Sequence, residues 1–313
     1  MRVIVAEPIH QIPLEKLRQN VDELVSWEDP AAKDWSRADA VIVRAADVTR
    51  EQIASALQLK VIGKHGIGVN AIDVKAARER GIQVVYTPAA NVSSVAELIM
   101  AMIMNLSRKL EENMKAILAG AERITPPELT GLELEGKNLG LVGLGRIAQK
   151  TGKIARGGFD MRLHAYDPVL DPDEFERLGV IKYERLEDLM AVSDFISVSV
   201  PLTQKTINLI SAEELAFCKP TAILVNTSRG GVVNEHDLYE AMAAGRIFGA
   251  GSDVFEQEPP RPDNPLLKLP NFIGTLHVGA CTEEALLRVG NTVAEDVLAV
   301  LKGCDPKYPY RGN

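Results

Sequence analysis

Residues Leu139-Gly-Leu-Val-Gly-Leu-Gly-Arg-Ile-Ala148 decide the fold. An apolar run, read as a strand over Leu139–Gly143, leads into a GxGxxA turn at Gly143, Gly145 and Ala148. A helix follows, with Arg146 and Ile147 in its first turn. The residue types answer one need. Gly143 permits the tight turn, and Gly145 lets a pyrophosphate approach the backbone. A small residue at 148 lets helix and strand pack closely, and the anion rests on unpaired helix-start amides. Such a turn is a weak signal alone. It gains force from Asp167, about 20 residues further on at the end of the next apolar run. A carboxylate there accepts bonds from ribose hydroxyls and repels a 2′-phosphate. Pro168 and Val169 supply no arginine to hold that phosphate, so NAD is expected over NADP.

Outward from this loop the chain alternates strands and helices. Downstream strands are expected at Arg162–Tyr166, Phe195–Val198, Ala222–Asn226, Phe248–Ser252 and Phe272–Gly274. Upstream, apolar runs at Val3–Ala6, Ala40–Val43, Lys60–Ile62 and Gln83–Tyr86 alternate with helical spacings at Leu14–Leu24, Glu51–Leu57 and Asp73–Arg80. Continuous apolar runs of this kind belong to parallel sheets covered on both faces. A long helix is expected from Ser93–Ser94 to Ala119, with Ser94 and Glu97 as a capping box and Gly120 as its stop. Ile124 to Gly136 reads as a surface connection. The apolar spacing of Glu283–Lys302 predicts a last helix that returns to the first unit.

Composition narrows the function. The chain has 313 residues, 46% of them hydrophobic and 25% charged, which is the balance of a globular protein. A net charge of −8 argues against nucleic acid or an anionic membrane as general partners. No apolar stretch approaches the roughly 20 residues that a membrane span needs, and the N-terminus begins as a strand with no leader pattern. Cys218, Cys281 and Cys304 are far apart, with no metal-type spacing, which fits reduced thiols in the cytoplasm and no metal.

Neither a GxSxG elbow nor an HExxH helix is present, so nucleophilic or zinc hydrolysis is disfavoured. Of the five histidines, His65 and His277 lie in glycine-containing loops after strands, where open α/β sheets bind ligands. Hydride transfer to a carbonyl needs an acid for the forming alkoxide and a cation for the substrate. His277 can be the acid. Arg229 follows a buried strand and can hold a carboxylate with its planar fork. Glu258 can pair with the imidazole and favour its protonated form. Taken singly, each also has an ordinary reading as an ion pair, a loop carboxylate or a cap.

Ordered along nearly the whole chain, these segments resemble the D-isomer-specific 2-hydroxyacid dehydrogenases. The matching pieces are Val43-Arg-Ala45, Gly66-Ile-Gly68 with Ile72-Asp73, Thr87-Pro-Ala-Ala-Asn91 with Ser94-Val-Ala-Glu97, and the GxGxxA loop. Further on come Val200-Pro-Leu-Thr203 with Thr206, Asn226-Thr-Ser-Arg-Gly230, Asp253-Val-Phe-Glu256 with Glu258-Pro259, and His277-Val-Gly-Ala280 with Thr282. The resemblance implies two doubly wound α/β domains. A Rossmann NAD-binding domain, 99–284, is inserted in a flavodoxin-like substrate domain, 1–98 and 285–313.

It also implies an Arg229, Glu258, His277 centre that interconverts a D-2-hydroxy acid and its 2-oxo acid, such as 3-phosphoglycerate or glycerate and glyoxylate. Ile67 and Gly68 amides would hold the substrate carboxylate beside Arg229, with Arg44 near its distal end. Asp253 would bind the nicotinamide carboxamide with Thr227 and Gly279 nearby, and Pro201 and Thr206 would lie near the adenosine half. A homodimer on the nucleotide domains is implied, with Ser94–Leu106 as its interface helix. Three departures from the family pattern stand at Leu276, usually Pro, at Asn70-Ala71 and at Lys64-His65. An NAD(H)-sensing binding protein of the same fold, or a formate- or phosphite-type dehydrogenase, remains the alternative.

Overall fold

A computed structural model describes residues 1–122 and 127–312, so part of the expected 124–136 connection lies outside the described residues. The chain forms two compact units, Met1–Asn91 with Ala280–Asn313, and Val92–Gly279.

The first unit carries strands β1 (Arg2–Val5), β2 (Glu23–Val25), β3 (Ala40–Val43), β4 (Val61–Lys64) and β5 (Gln83–Val85), with helices α1 (Gln11–Arg18), α2 (Arg50–Ser55) and α3 (Val74–Glu79). All strand pairs are parallel and the order is β2-β1-β3-β4-β5. That is the flavodoxin-like winding. Alternate side chains of each inner strand enter two different cores. Ile4, Val41, Val43 and Ile62 pack with Ile53 and Ala76 on one face. Val3, Val5, Ile42 and Val61 pack with Leu14 and Leu17 on the other. Burial on both faces explains why these strands are apolar throughout.

The second unit opens with α4 (Val92–Arg108) and α5 (Leu110–Leu118). Then follow β6 (Asn138–Val142), α6 (Arg146–Phe159), β7 (Arg162–Tyr166), α7 (Pro172–Leu178), β8 (Ile181–Lys182), α8 (Leu186–Val192) and β9 (Phe195–Val198). It closes with α9 (Ala212–Leu215), β10 (Ile223–Asn226), α10 (Glu235–Ala243), β11 (Gly249–Ser252) and β12 (Phe272–Gly274). The sheet order is β12-β11-β10-β9-β6-β7-β8, again parallel throughout. Read from β6, this is the dinucleotide-binding winding with one extra edge strand.

The chain then re-enters the first unit as α11 (Glu283–Leu301). This helix lies so close to β4 that a β carbon on Gly63 would meet Val297 and Val293 at 2.7 and 2.8 Å.

Several local expectations differ from the structure. The long helix is two, because Lys109 takes a left-handed φ of 49°. Its ammonium reaches the Glu128 carbonyl at 2.8 Å and stands over the Phe248 ring. Ser94 is buried inside the first turn of α4 rather than capping it. The helical reading of Leu14–Leu24 swallowed β2, and the two-residue β8 carried no apolar run. The unit boundaries at Asn91/Val92 and Gly279/Ala280 leave α4 and α11 whole, where boundaries at 98/99 and 284/285 would cut both. Finally, Val95, Ile99, Met100, Met102, Ile103 and Leu106 of α4 are buried in their own unit's core. On the same helix Met104 is 43% exposed, and α5 adds an exposed apolar stripe at Leu110, Met114, Ile117 and Leu118. Among the described residues no helix is long and apolar enough to cross a membrane.

Candidate active site

The glycine turn follows β6 directly. Gly143 has a φ of 85°, and a β carbon there would meet Val200 Cγ1 at 2.7 Å and the Ser199 carbonyl at 2.9 Å. Only glycine fits both constraints. Gly145 caps α6 without a side-chain acceptor, and nothing stands within 4 Å of where its β carbon would be. The turn therefore presents open backbone and a helix start to an anion. Ala148 is fully buried behind it.

Asp167, after β7, accepts the Leu144 amide on Oδ2 at 2.9 Å and the Val169 and Leu170 amides on Oδ1. It straps the glycine turn to the next strand. Arg146 is exposed and Ile147 half-buried at the start of α6. The hydroxyl oxygens of Ser199 and Thr227 are buried without a hydrogen-bond partner, after β9 and β10 respectively. Pro201 is exposed, and its carbonyl accepts the Thr206 hydroxyl at 2.6 Å, which folds that loop on itself. A glycine cradle, a strand-end acid and orphaned hydroxyls fit a dinucleotide.

Three further side chains follow three adjacent strands. Arg229 comes after β10, Glu258 after β11 and His277 after β12. Asn226, the last residue of β10, frames the arginine loop. Its Oδ1 accepts the Ser228 amide and hydroxyl, and its Nδ2 donates to the Arg229 carbonyl. The Arg229 guanidinium donates to the Ser228 carbonyl at 2.6 Å. Burial pulls its pKa down against the raising effect of Glu258, and a guanidinium stays charged regardless.

Glu258 Oε2 lies 3.0 Å from His277 Nδ1, while Oε1 accepts the Phe255 amide at 3.1 Å. Burial pushes the Glu258 carboxyl upward. The hydrogen bond and charge of His277, the Phe255 amide and Arg229 outweigh it, and the net shift is down. His277 itself has a left-handed φ of 52°. Asp253, expected to face the nicotinamide carboxamide, is only 2% exposed, and its carboxylate turns onto the His277 loop. Gly279 lies in that same loop.

The remaining expected residues are in the first unit. Arg44 follows β3, and its guanidinium meets the Cys281 sulfur at 2.7 Å. Ile67 and Gly68 are half-buried after β4, in a loop where Gly66 has a φ of 142° and accepts the Thr87 amide. Lys64 is buried and donates to the Arg44 carbonyl. His65 is buried with Nε2 unpartnered, and burial together with the Arg44 charge pushes its pKa to about 4.

The structure thus brings Glu258 and His277 into contact, with Arg229 acting on Glu258 through its charge. Three residues were missed. Glu7 accepts the amides of Arg44, Ala45 and Ala46 and so shapes the Arg44 loop; its place after β1 was the available signal. Thr275 acts through a side-chain bond that no motif marks, and Gly230, although it ends the Asn226–Gly230 motif, was given no role there, its role being close approach to the Phe255 backbone. Among the described residues no cluster of His, Cys, Asp or Glu is placed to hold a metal.

The family described as "D-isomer specific 2-hydroxyacid dehydrogenase, NAD binding domain" matches residues 100–279. A D-3-phosphoglycerate dehydrogenase of Methanocaldococcus jannaschii is 41% identical over 97% of this chain, which spans only 58% of that protein. A hydroxypyruvate reductase of Thermotoga maritima is 38% identical over 96% of this chain and 98% of its own length. The solved structure of an Aquifex aeolicus D-lactate dehydrogenase complexed with NAD and lactic acid is 26% identical, with a TM-score of 0.85 over 97% of this chain and 96% of that one. Identity of this extent, carried through both units, makes the chain a member of the D-isomer-specific 2-hydroxyacid dehydrogenase family.

Proposed function

We propose that the protein interconverts a D-2-hydroxy acid and its 2-oxo acid with NAD. The carrying observation is the 3.0 Å contact of Glu258 Oε2 with His277 Nδ1, in the same unit as Arg229 and the glycine turn. With its pyrophosphate held at that turn, NAD would supply hydride-transfer chemistry through its nicotinamide. Glu258 holds the imidazole by Nδ1 and leaves Nε2 as the ring atom that exchanges a proton. In reduction, His277 gives that proton to the oxygen of the forming alkoxide, and in oxidation it takes one from the hydroxyl. Arg229, charged and mostly buried, binds the substrate carboxylate and polarises the neighbouring carbonyl.

In the first unit, Arg44 and the amides of Ile67 and Gly68 are the proposed substrate contacts. The relatives' names support 2-oxo acids of the hydroxypyruvate or phosphoglycerate class. On the cofactor side, Gly143, Gly145, Arg146, Ile147 and Asp167 are proposed to hold the pyrophosphate and ribose. Thr227 and Gly279 flank the nicotinamide, and Pro201 and Thr206 the adenosine half. A homodimer is proposed on the apolar stripe of α5, and a cytoplasmic location goes with three unpaired cysteines.

The experiment is NADH oxidation with hydroxypyruvate, glyoxylate, pyruvate, oxaloacetate and 3-phosphohydroxypyruvate, each beside His277→Ala. Turnover that collapses in the variant supports the reading and names the acid. A folded protein that binds NADH yet turns over none of them overturns it.

A further inference from the structure

Thr87 is fully buried, yet its hydroxyl oxygen has no hydrogen-bond partner. Its amide donates to the Gly66 carbonyl at 3.0 Å, so the backbone is held and the side chain is what stays orphaned. An unpaired buried hydroxyl costs free energy and calls for a partner from outside the chain. Thr87 also lines a cavity of about 300 Å³, a volume at the lower end of those that hold small molecules.

The other walls are Ala89 and Ala90 from the same stretch, Arg288 and Asn291 one turn apart on α11, and Tyr308 near the end of the chain. All of them belong to the first unit, and none is among the residues proposed to carry the reaction or hold NAD. Tyr308 is fixed by its backbone. Its carbonyl accepts the Tyr86 amide at 3.2 Å, and its amide donates to Asp296 at 3.0 Å.

Arg288 is the charged member. Its Nε donates to the Ala90 carbonyl at 2.9 Å, which ties the guanidinium to the cavity wall. It forms no ion pair among the described residues. Its two terminal amines are left as a planar fork, the shape that pairs with a carboxylate. Asp296, buried on the same helix, spends its oxygens on the Lys307 and Tyr308 amides. The Lys307 ammonium stands 5.1 Å from the centre of the Tyr308 ring and adds positive charge nearby.

We propose that this cavity is a binding site for a small organic carboxylate. The carboxylate seats on the Arg288 fork and accepts the Thr87 hydroxyl, while a short apolar body lies against Ala89, Ala90 and Tyr308. One cation and one orphaned hydroxyl suit the two oxygens of a carboxylate, whereas a phosphoryl group brings three strong acceptors.

The probe is 4,4,4-trifluorobutyrate. It carries the charge and the apolar body but no 2-oxo or 2-hydroxyl group, so it is not turned over, and its fluorine resonance reports binding without any activity. Wild-type protein should bind it saturably with a Kd on the order of 1 mM, the scale for so small a ligand. Arg288→Gln removes the charge at an exposed position, and Ala89→Leu fills the cavity from another. Each should raise the Kd about tenfold or more. Thr87→Val keeps the shape, deletes only the hydroxyl, and should raise it about fivefold. Arg229→Ala should leave it unchanged, since a carboxylate bound at the proposed reaction centre would depend on that arginine.

No saturation at concentrations about twentyfold above the expected Kd overturns the proposal. So does binding that Arg229→Ala abolishes and Arg288→Gln leaves intact, which puts the carboxylate at the reaction centre. Wild-type affinity in both Arg288→Gln and Ala89→Leu puts the probe elsewhere and overturns it too. If Thr87→Val does not fold, those two surface variants decide. None of these readouts depends on turnover, so a protein that reduces no 2-oxo acid would sink the proposed activity and leave this test standing.

Discussion

Gly230 lies against Phe255 so closely that a β carbon on it would overlap the Phe255 carbonyl. This contact joins the two loops that carry Arg229 and Glu258, one after β10 and one after β11. Gly230→Ala must separate them. The overpacking should cost about 1–3 kcal/mol of stability, and kcat/KM should fall further than the lowered Tm accounts for. Activity equal to wild type in a folded variant would show that the loops can part without harm.

Gly145 is the opposite case. Its φ of −71° is one that any residue adopts and nothing stands within 4 Å of where a β carbon would go, so Gly145→Ala should fold with an unchanged Tm. The added methyl occupies the approach of a pyrophosphate to the backbone. NADH affinity measured by fluorescence should drop about tenfold, worth about 1.4 kcal/mol. Unchanged affinity would place the diphosphate elsewhere.

Asp167 accepts the Leu144 amide and is the proposed contact of the adenosine ribose. Asp167→Ala removes the charge that repels a 2′-phosphate. The ratio of kcat/KM with NADPH to that with NADH should rise by about tenfold. A ratio that stays fixed would mean another group discriminates.

His65 predicts an acid limb in stability. Its imidazole titrates near the ordinary 6.5 when unfolded and at about 4 when folded, burial being the main cause. Between those values the unfolded chain binds a proton that the folded one refuses. Stability should therefore fall as pH drops from 6.5 to about 4 and level off below, by on the order of 3 kcal/mol. His65→Gln should flatten that limb in urea unfolding. A limb of the same depth in the variant would assign it to other groups.

The α5 stripe predicts self-association. Ile117 is 68% and Met114 56% exposed on a helix with no buried residue, and such a patch marks an interface. Light scattering should give a dimer, and Ile117→Glu a monomer. A monomeric wild-type protein would remove the proposed interface.

Much of this was legible in the residues alone. Strands β3, β7, β9 and β12 begin and end at the expected residues, and β3, buried at every position, shows why: a strand covered on both faces reads as a continuous apolar run. The glycine turn was legible because φ at Gly143 and the space at Gly145 are local demands on residue type. Glu258 and His277 could be named from their motifs, since each lies just past a strand end. β2 and β8 were not legible: three and two residues carry too little periodicity, and they exist by pairing with β1 and β7.

What only tertiary structure decided has one physical cause, which is that these features depend on atoms distant in sequence. Lys109 breaks a helix whose pattern runs on, held by Glu128 and Phe248. Glu7 grips amides 37 to 39 residues away. Asp253 accepts a hydroxyl and two amides from a loop 22 to 26 residues further along, which satisfies its buried carboxylate. Local residue types determined the strands and the phosphate turn of this protein. The long-range hydrogen bonds that satisfy buried polar groups decided where its chemistry-bearing side chains stand.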